Sequence, residues 1–142
     1  EHYQLPAAAL EIEVTESGLM TDMAAALEQL SLLAKAGISI AIDDFGTGYS
    51  SLAYLKELPV SVLKIDRAFI KDMHENDRDK KLVETVMQMS ENFDFITVAE
   101  GVENEEQLQI LEDLSCELIQ GYYYSPPLAE KALLQYIAAI ND

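Results

Sequence analysis

The sequence predicts an α/β fold built on a parallel sheet, and two observations carry that prediction. Short apolar runs of strand length alternate with segments of helical period along the chain. Strands joined through intervening helices pair in parallel, by right-handed crossovers. The runs are residues 10–15, 38–43, 62–66, 95–100 and 118–123, several of them rich in Ile and Val. Two architectures fit: an open doubly wound sheet of five strands, or part of a (β/α)8 barrel. An intact barrel needs eight strands and about 250 residues. A chain of 142 residues with about five strands would be an incomplete one.

The helical segments follow the strands in order. After the first run, Leu27, Leu30 and Ala34 share a helix face, and Gly37 is placed to end that helix. After the third, Leu82, Val83, Val86, Met87 and Ser90 recur at helical spacing. After the fourth, Asn104 and Gln107 are spaced as a capping box ahead of Leu108 and Leu111. After the fifth, Pro126 and Pro127 interrupt the chain, and Leu133, Tyr136, Ile137 and Ile140 form a last amphipathic face.

Composition narrows the function. The chain is long enough for one compact domain with a core, and 49% apolar with 25% charged residues is an ordinary globular balance. No apolar stretch reaches the length of a membrane span, and no signal peptide is visible, so this segment is not expected to contact a membrane. The single cysteine, Cys116, suits a reducing cytoplasm. Net charge is −17, from 26 acidic and 9 basic residues. A nucleic-acid polymer is therefore not an expected partner, because little here would neutralise a run of phosphates. A small phosphate ester would bind if divalent cations intervened, since clustered carboxylates recruit them. The plainer reading of the acidity is that it keeps the molecules dispersed. His2 and His74 fall in surface segments, and neither is placed as a ligand or base.

Side chains alternate faces along a strand. Ile38, Ile40 and Ile42 share one face, opposite Ser39, Ala41 and Asp43. Likewise Leu10, Ile12 and Val14 oppose Glu11, Glu13 and Thr15, and Lys64 opposes Leu63 and Ile65. The apolar face would pack on helices and the small or polar face would point inward. Each run also carries a polar group at or near its C-terminal end: Glu13, Asp43 with Asp44, Lys64 with Asp66, Glu100, and Gln120. In parallel α/β folds those ends form one rim, where active sites lie. The sharpest local signal is residues 43–52, Asp-Asp-Phe-Gly-Thr-Gly-Tyr-Ser-Ser-Leu. Two adjacent acids repel unless a cation or proton lies between them. A metal site explains the pair. So does a buried, hydrogen-bonded Asp43 beside a solvated Asp44. Lys64, in an apolar strand, needs a carboxylate partner in the core or holds a water or phosphate oxygen. Glu100 and Glu103 flank a turn that leads into the cap at Asn104.

These stretches together resemble the EAL family of cyclic di-GMP phosphodiesterases. The resemblance lies in residues 10–17 (Leu-Glu-Ile-Glu-Val-Thr-Glu-Ser), 43–52, Leu58-Pro59, Lys64-Ile-Asp66, residues 99–103 (Ala-Glu-Gly-Val-Glu) and Gln120-Gly-Tyr122, in that order and over nearly all of the chain. It implies a TIM-like barrel of which residues 1–142 are the C-terminal part of one domain, carrying about the last five strands. It implies hydrolysis of one phosphodiester bond of cyclic di-GMP to the linear dinucleotide, with Mg²⁺ or Mn²⁺, usually as two ions. By position, Glu13 would bind the first metal, Asp43 would bridge the two, and Asp44 would bind the second. Glu100 would bind the second metal or its water, and has also been cast as a base. Lys64 would orient or help deprotonate the attacking water, and Gln120 would hydrogen-bond beside it. Glu16 and Glu103 would brace the loop after Asp44, which in the family also contributes to dimerisation, so a homo-oligomer is expected.

Two departures stand out. The Glu-Ala-Leu segment that names the family and the following asparagine strand are not in the sequence, and two first-metal ligands would come from there. The isolated chain is therefore expected to be weakly active or inactive. Ser115-Cys116 also stands where the family usually has a glycine. Two other readings compete. One is a non-catalytic module that binds cyclic di-GMP or holds a protein partner. The other is a phosphoacceptor receiver domain with Asp66 on its middle strand, which the glycine-rich loop after Asp44 argues against.

Overall fold

A computed structural model of the chain describes residues 5–19, 21–46 and 55–140. Residues 47–52 of the glycine-rich stretch, and His2, lie outside them. Among the described residues five strands form one sheet: β1 Glu11–Thr15, β2 Ser39–Phe45, β3 Val62–Ile65, β4 Ile96–Glu100 and β5 Leu118–Gln120. The helices are α1 Glu16–Leu19, α2 Met23–Lys35, α3 Arg67–Ile70, α4 Asp77–Asn92, α5 Glu105–Asp113 and α6 Glu130–Ile140.

Every pairing is parallel, and the sheet order is the chain order, β1-β2-β3-β4-β5. A doubly wound sheet reverses its strand order at a switch point. None occurs here, so the doubly wound and receiver readings both fail. Among the described residues the helices in the main core also pack on one face. Ile40, Ile42, Leu63, Ile65 and Ala99 pack with Leu30 of α2, Val83, Val86 and Met87 of α4, and Leu111 of α5. The opposite face holds the small cluster Ala41, Val62 and Val98. A sheet with helices outside and small side chains inside is an arc of barrel wall.

Among the described residues the inner face of the arc carries exposed apolar side chains. The register places Ile96 opposite Val62 and Leu118 opposite Val98, so all four share the inner face. Ile96 is 44% and Leu118 52% exposed, unusual for large apolar side chains facing a barrel interior. No helix among the described residues is long and apolar enough to cross a membrane.

Local chemistry sets the boundaries. Asp22 caps α2, accepting from the Ala25 N–H at 3.1 Å, and Gly37 beyond its end has φ +86°, a conformation glycine adopts at little cost. The third run stops a residue early because the Asp66 carboxylate accepts from the Ala68 N–H at 2.7 Å and caps α3. At α5 the capping box forms: the Gln107 N–H donates to Asn104 at 2.8 Å, and the Asn104 N–H donates to the Gln107 side chain at 3.2 Å. The last amphipathic segment is helical, as its period predicts, but its apolar face is not buried. Leu133, Ile137 and Ile140 are 44%, 46% and 64% exposed.

Candidate metal centre

Strict alternation along β2 would send Asp43 and Asp44 to opposite faces. The structure breaks the alternation there. Ile42 pairs with Leu63 and Phe45 with Ile65, so β2 carries one residue more than β3 across that span. The extra residue makes a bulge, and Asp44 turns through it in the left-handed region at φ +54°. Both carboxylates thereby reach the same rim. Glu100 arrives from the end of β4, and carboxylate oxygens of Asp43, Asp44 and Glu100 lie within 4.8 Å of one another.

Lys64 enters this acidic rim from β3. Its Nζ lies 2.6 Å from Glu13, 2.9 Å from Glu100 and 3.1 Å from Asp43. The lysine side chain is 7% exposed, against 48% for Glu13, 23% for Asp43 and 17% for Glu100. Burial alone would lower the lysine pKa. Contacts with Glu13, Glu100 and Asp43 outweigh it and hold the pKa above the ordinary lysine range. Asp43 Oδ1 is buried 3.1 Å from the Lys64 ammonium, which is its charged partner among the described residues.

Asp44 reports the same crowding. A hydrogen bond with Asp66 is the first cause holding its carboxyl above the usual carboxylate range. Burial and the charges of Asp43, Asp66 and Glu100 act in the same direction. Each of these neighbours disfavours a full negative charge on Asp44.

Surrounding elements fix these groups. Glu16, 2% exposed at the start of α1, accepts from the Gly46 N–H at 3.1 Å, so it grips the first turn after Asp44. Gly46 has φ +95°, and a Cβ there would sit 2.9 Å from the Phe69 ring. Glu103 pairs with Arg67 at 2.7 Å. Gln107, 2% exposed, accepts from the Glu103 N–H at 2.7 Å and donates to the Lys71 carbonyl at 2.8 Å. That clamp sets the turn leaving Glu100. Gln120 stands beside Glu100 in the β4–β5 register, and both line a cavity of about 530 Å³ with Arg67, Glu103 and Tyr136.

Of the residues singled out from sequence, the structure gathers Asp43, Asp44, Lys64, Glu100 and Gln120 at one end of the sheet. Glu13 is there too, but on Lys64 rather than in the group of three converging acids. Glu16 meets the loop after Asp44, whereas Glu103 is bound to α3 through Arg67. One contributor, Arg67, is not among the residues that the sequence patterns singled out. It is one of only 9 basic residues in an acidic chain, whereas Asp66, a strand-end polar group in the sequence, hydrogen-bonds with Asp44. That scarcity was the available signal.

The EAL domain family model matches residues 1–127. The chain is 45% identical over 139 residues to the cyclic di-GMP phosphodiesterase NbdA of Pseudomonas aeruginosa, across 98% of this chain and 18% of that protein. It therefore spans less than a fifth of that curated relative's length. Its fold superposes on the Pseudomonas aeruginosa MucR phosphodiesterase in complex with cyclic di-GMP. The TM-score is 0.90 at 42% identity, over 93% of this chain and 53% of that one. A manganese and cyclic di-GMP complex of Klebsiella pneumoniae BlrP1 matches with TM-score 0.81 at 34% identity, over 87% and 31% of the two chains. The arc of parallel strands is thus part of a TIM-like barrel, and the chain belongs to the EAL domain family.

Proposed function

We propose that this chain supplies the acidic rim of a domain that hydrolyses cyclic di-GMP to the linear dinucleotide with Mg²⁺ or Mn²⁺ in the cytoplasm. The observation that carries the reading is the convergence of Asp43, Asp44 and Glu100 beside Lys64 at the C-terminal ends of β2, β3 and β4. The substrate is drawn from relatives named as cyclic di-GMP phosphodiesterases.

The residues fit a hard divalent ion: three carboxylates whose oxygens lie within 4.8 Å of one another, all of the oxygen type such an ion prefers. Asp43, Asp44 and Glu100 would hold it, with Glu13 toward a second ion in the intact domain. Such ions acidify bound water and offset charge on phosphoryl oxygens. The chain's own groups do the rest. Lys64 fixes the orientation of Glu13, Asp43 and Glu100 and keeps a positive charge next to the reacting phosphate. Gln120, level with Glu100, presents an amide that orients a water or phosphate oxygen. The cavity lined by Arg67, Gln120 and Tyr136 lies beside the rim and has room for part of a nucleotide.

Activity belongs to the parent domain, and the isolated chain would be weak or inactive. The test is cyclic di-GMP hydrolysis by the parent protein in Mn²⁺, with the linear dinucleotide separated by chromatography. Asp43→Asn should slow it at least about 100-fold, since even residues behind a metal's direct ligands carry 10–100-fold. A variant that keeps the parent rate refutes the assignment. A parent that binds the dinucleotide without cleaving it supports the receptor reading instead.

A further inference from the structure

Glutamine is mostly an exposed residue, yet Gln107 is buried and its side chain is bonded at both ends. A capping box uses one of those bonds, the 3.2 Å contact that Gln107 Oε1 accepts from the Asn104 N–H. The two shorter ones lie outside it. Oε1 also accepts from the Glu103 N–H at 2.7 Å, one residue before the cap. Nε2 donates to the Lys71 carbonyl at 2.8 Å, at the end of α3. One buried amide thus joins the turn at 101–104 to α3.

That turn starts at a pliable point. Gly101 directly follows Glu100 at φ +73°, so the backbone beside this carboxylate has the wide freedom of glycine. Neighbours restrain it instead. On the β5 side, the Val102 N–H donates to the Gln120 carbonyl at 3.2 Å, and the Val102 carbonyl accepts from the Tyr123 N–H at 2.9 Å. On the α3 side, the Arg67 stem lies where a Cβ on Gly101 would collide with it, but the Arg67 side chain is 60% exposed. Gln107 is the buried restraint on that side. The same helix is capped by Asp66, which hydrogen-bonds with Asp44. The amide therefore relates the turn after Glu100 to the strand end that carries Asp43 and Asp44.

We propose that Gln107 is a positioning residue for the rim: its amide fixes the turn after Glu100 against α3, and so holds the Glu100 carboxylate close enough to Asp43 and Asp44 for one divalent ion. The inference rests on the assignment of those three acids as ligands. Two measurements on the chain test it. In the metal-free chain, hydrogen exchange at the Glu103 and Asn104 amides should speed up about fivefold or more in Gln107→Met, the size of one lost hydrogen bond. In electron paramagnetic resonance of free Mn²⁺, the same variant should bind the ion about tenfold more weakly, the low end of what groups behind a metal's direct ligands carry. Gln107→Glu keeps the accepting oxygen and should bind Mn²⁺ more tightly than Gln107→Met. Leu108→Ala, on the same helix, removes packing rather than the clamp, and should leave the affinity of the folded chain unchanged. Unaltered Mn²⁺ affinity in folded Gln107→Met overturns the proposal, as does an equal loss in Leu108→Ala or no recovery in Gln107→Glu. If the unsubstituted chain binds no Mn²⁺, the ligand assignment fails, and exchange at Glu103 and Asn104 still decides the clamp: unchanged rates in Gln107→Met overturn it.

Discussion

Lys64 shows how much of the site's behaviour follows from one side chain. Its ammonium compensates three carboxylates, so Lys64→Met should destabilise the metal-free chain by about 2–3 kcal/mol. That is near the low end for a broken buried pair, because Glu13 is half exposed. Mn²⁺ should restore part of the loss in a urea melt, and a variant as stable as the parent sequence would contradict the clamp. The folded pKa of Lys64 is raised. Its contribution is therefore complete below the unfolded lysine range and fades only as pH rises through the folded value. Asp44 gives the same sign of pH dependence, because there the charged form is the disfavoured one. Its folded pKa is also raised, so its protonated form favours folding, and stability falls as pH climbs from the unfolded aspartate value through the folded one. Asp44→Asn should accordingly raise the melting temperature of the metal-free chain at neutral pH while weakening Mn²⁺ binding. A lower melting temperature at neutral pH would reject that sign. The identities of these acids and the lysine were legible because each ends a strand pattern. The left-handed turn at Asp44 was not, since nothing in its residue type separates it from Asp43.

At the scale of elements, the capping box and the helix periods were readable because they depend on residues three or four apart. The bulge in β2 depends on how two strands meet across the sheet, and the alternation rule that located Asp43 is silent about it. The end of α5 tests the same distinction. Ser115 sits at φ +60° just past the helix, with the Cys116 N–H bonded back to the Leu111 carbonyl at 2.9 Å. This is the helix-ending position that glycine fills best. Ser115→Gly should stabilise the chain by about 1 kcal/mol, the cost of a left-handed side-chain residue, and a chemical melt would measure it. The departure from the family noted at this position thus has a local energetic meaning remote from the metal centre.

Among the described residues the molecule is an arc that ends at β1 and β5. β1 and β5 each have one sheet neighbour, and Ile96 and Leu118 stand exposed on the inner face. Unpaired edges and uncovered apolar surface promote association. The isolated chain should therefore associate in light scattering despite a net charge of −17 that opposes it. A monodisperse folded monomer would count against this. The parallel α/β class was legible because strand and helix alternate. The choice between barrel and doubly wound sheet rested on spatial strand order, which local patterns do not encode. Everything functional rests on Asp43, Asp44 and Glu100 forming one cation-binding rim. Electron paramagnetic resonance of free Mn²⁺ titrated with the chain tests this most directly. Bound Mn²⁺ should be lost when Asp43 and Asp44 are both changed to Asn, with the fold retained. Undiminished Mn²⁺ binding in that double variant would contradict the account.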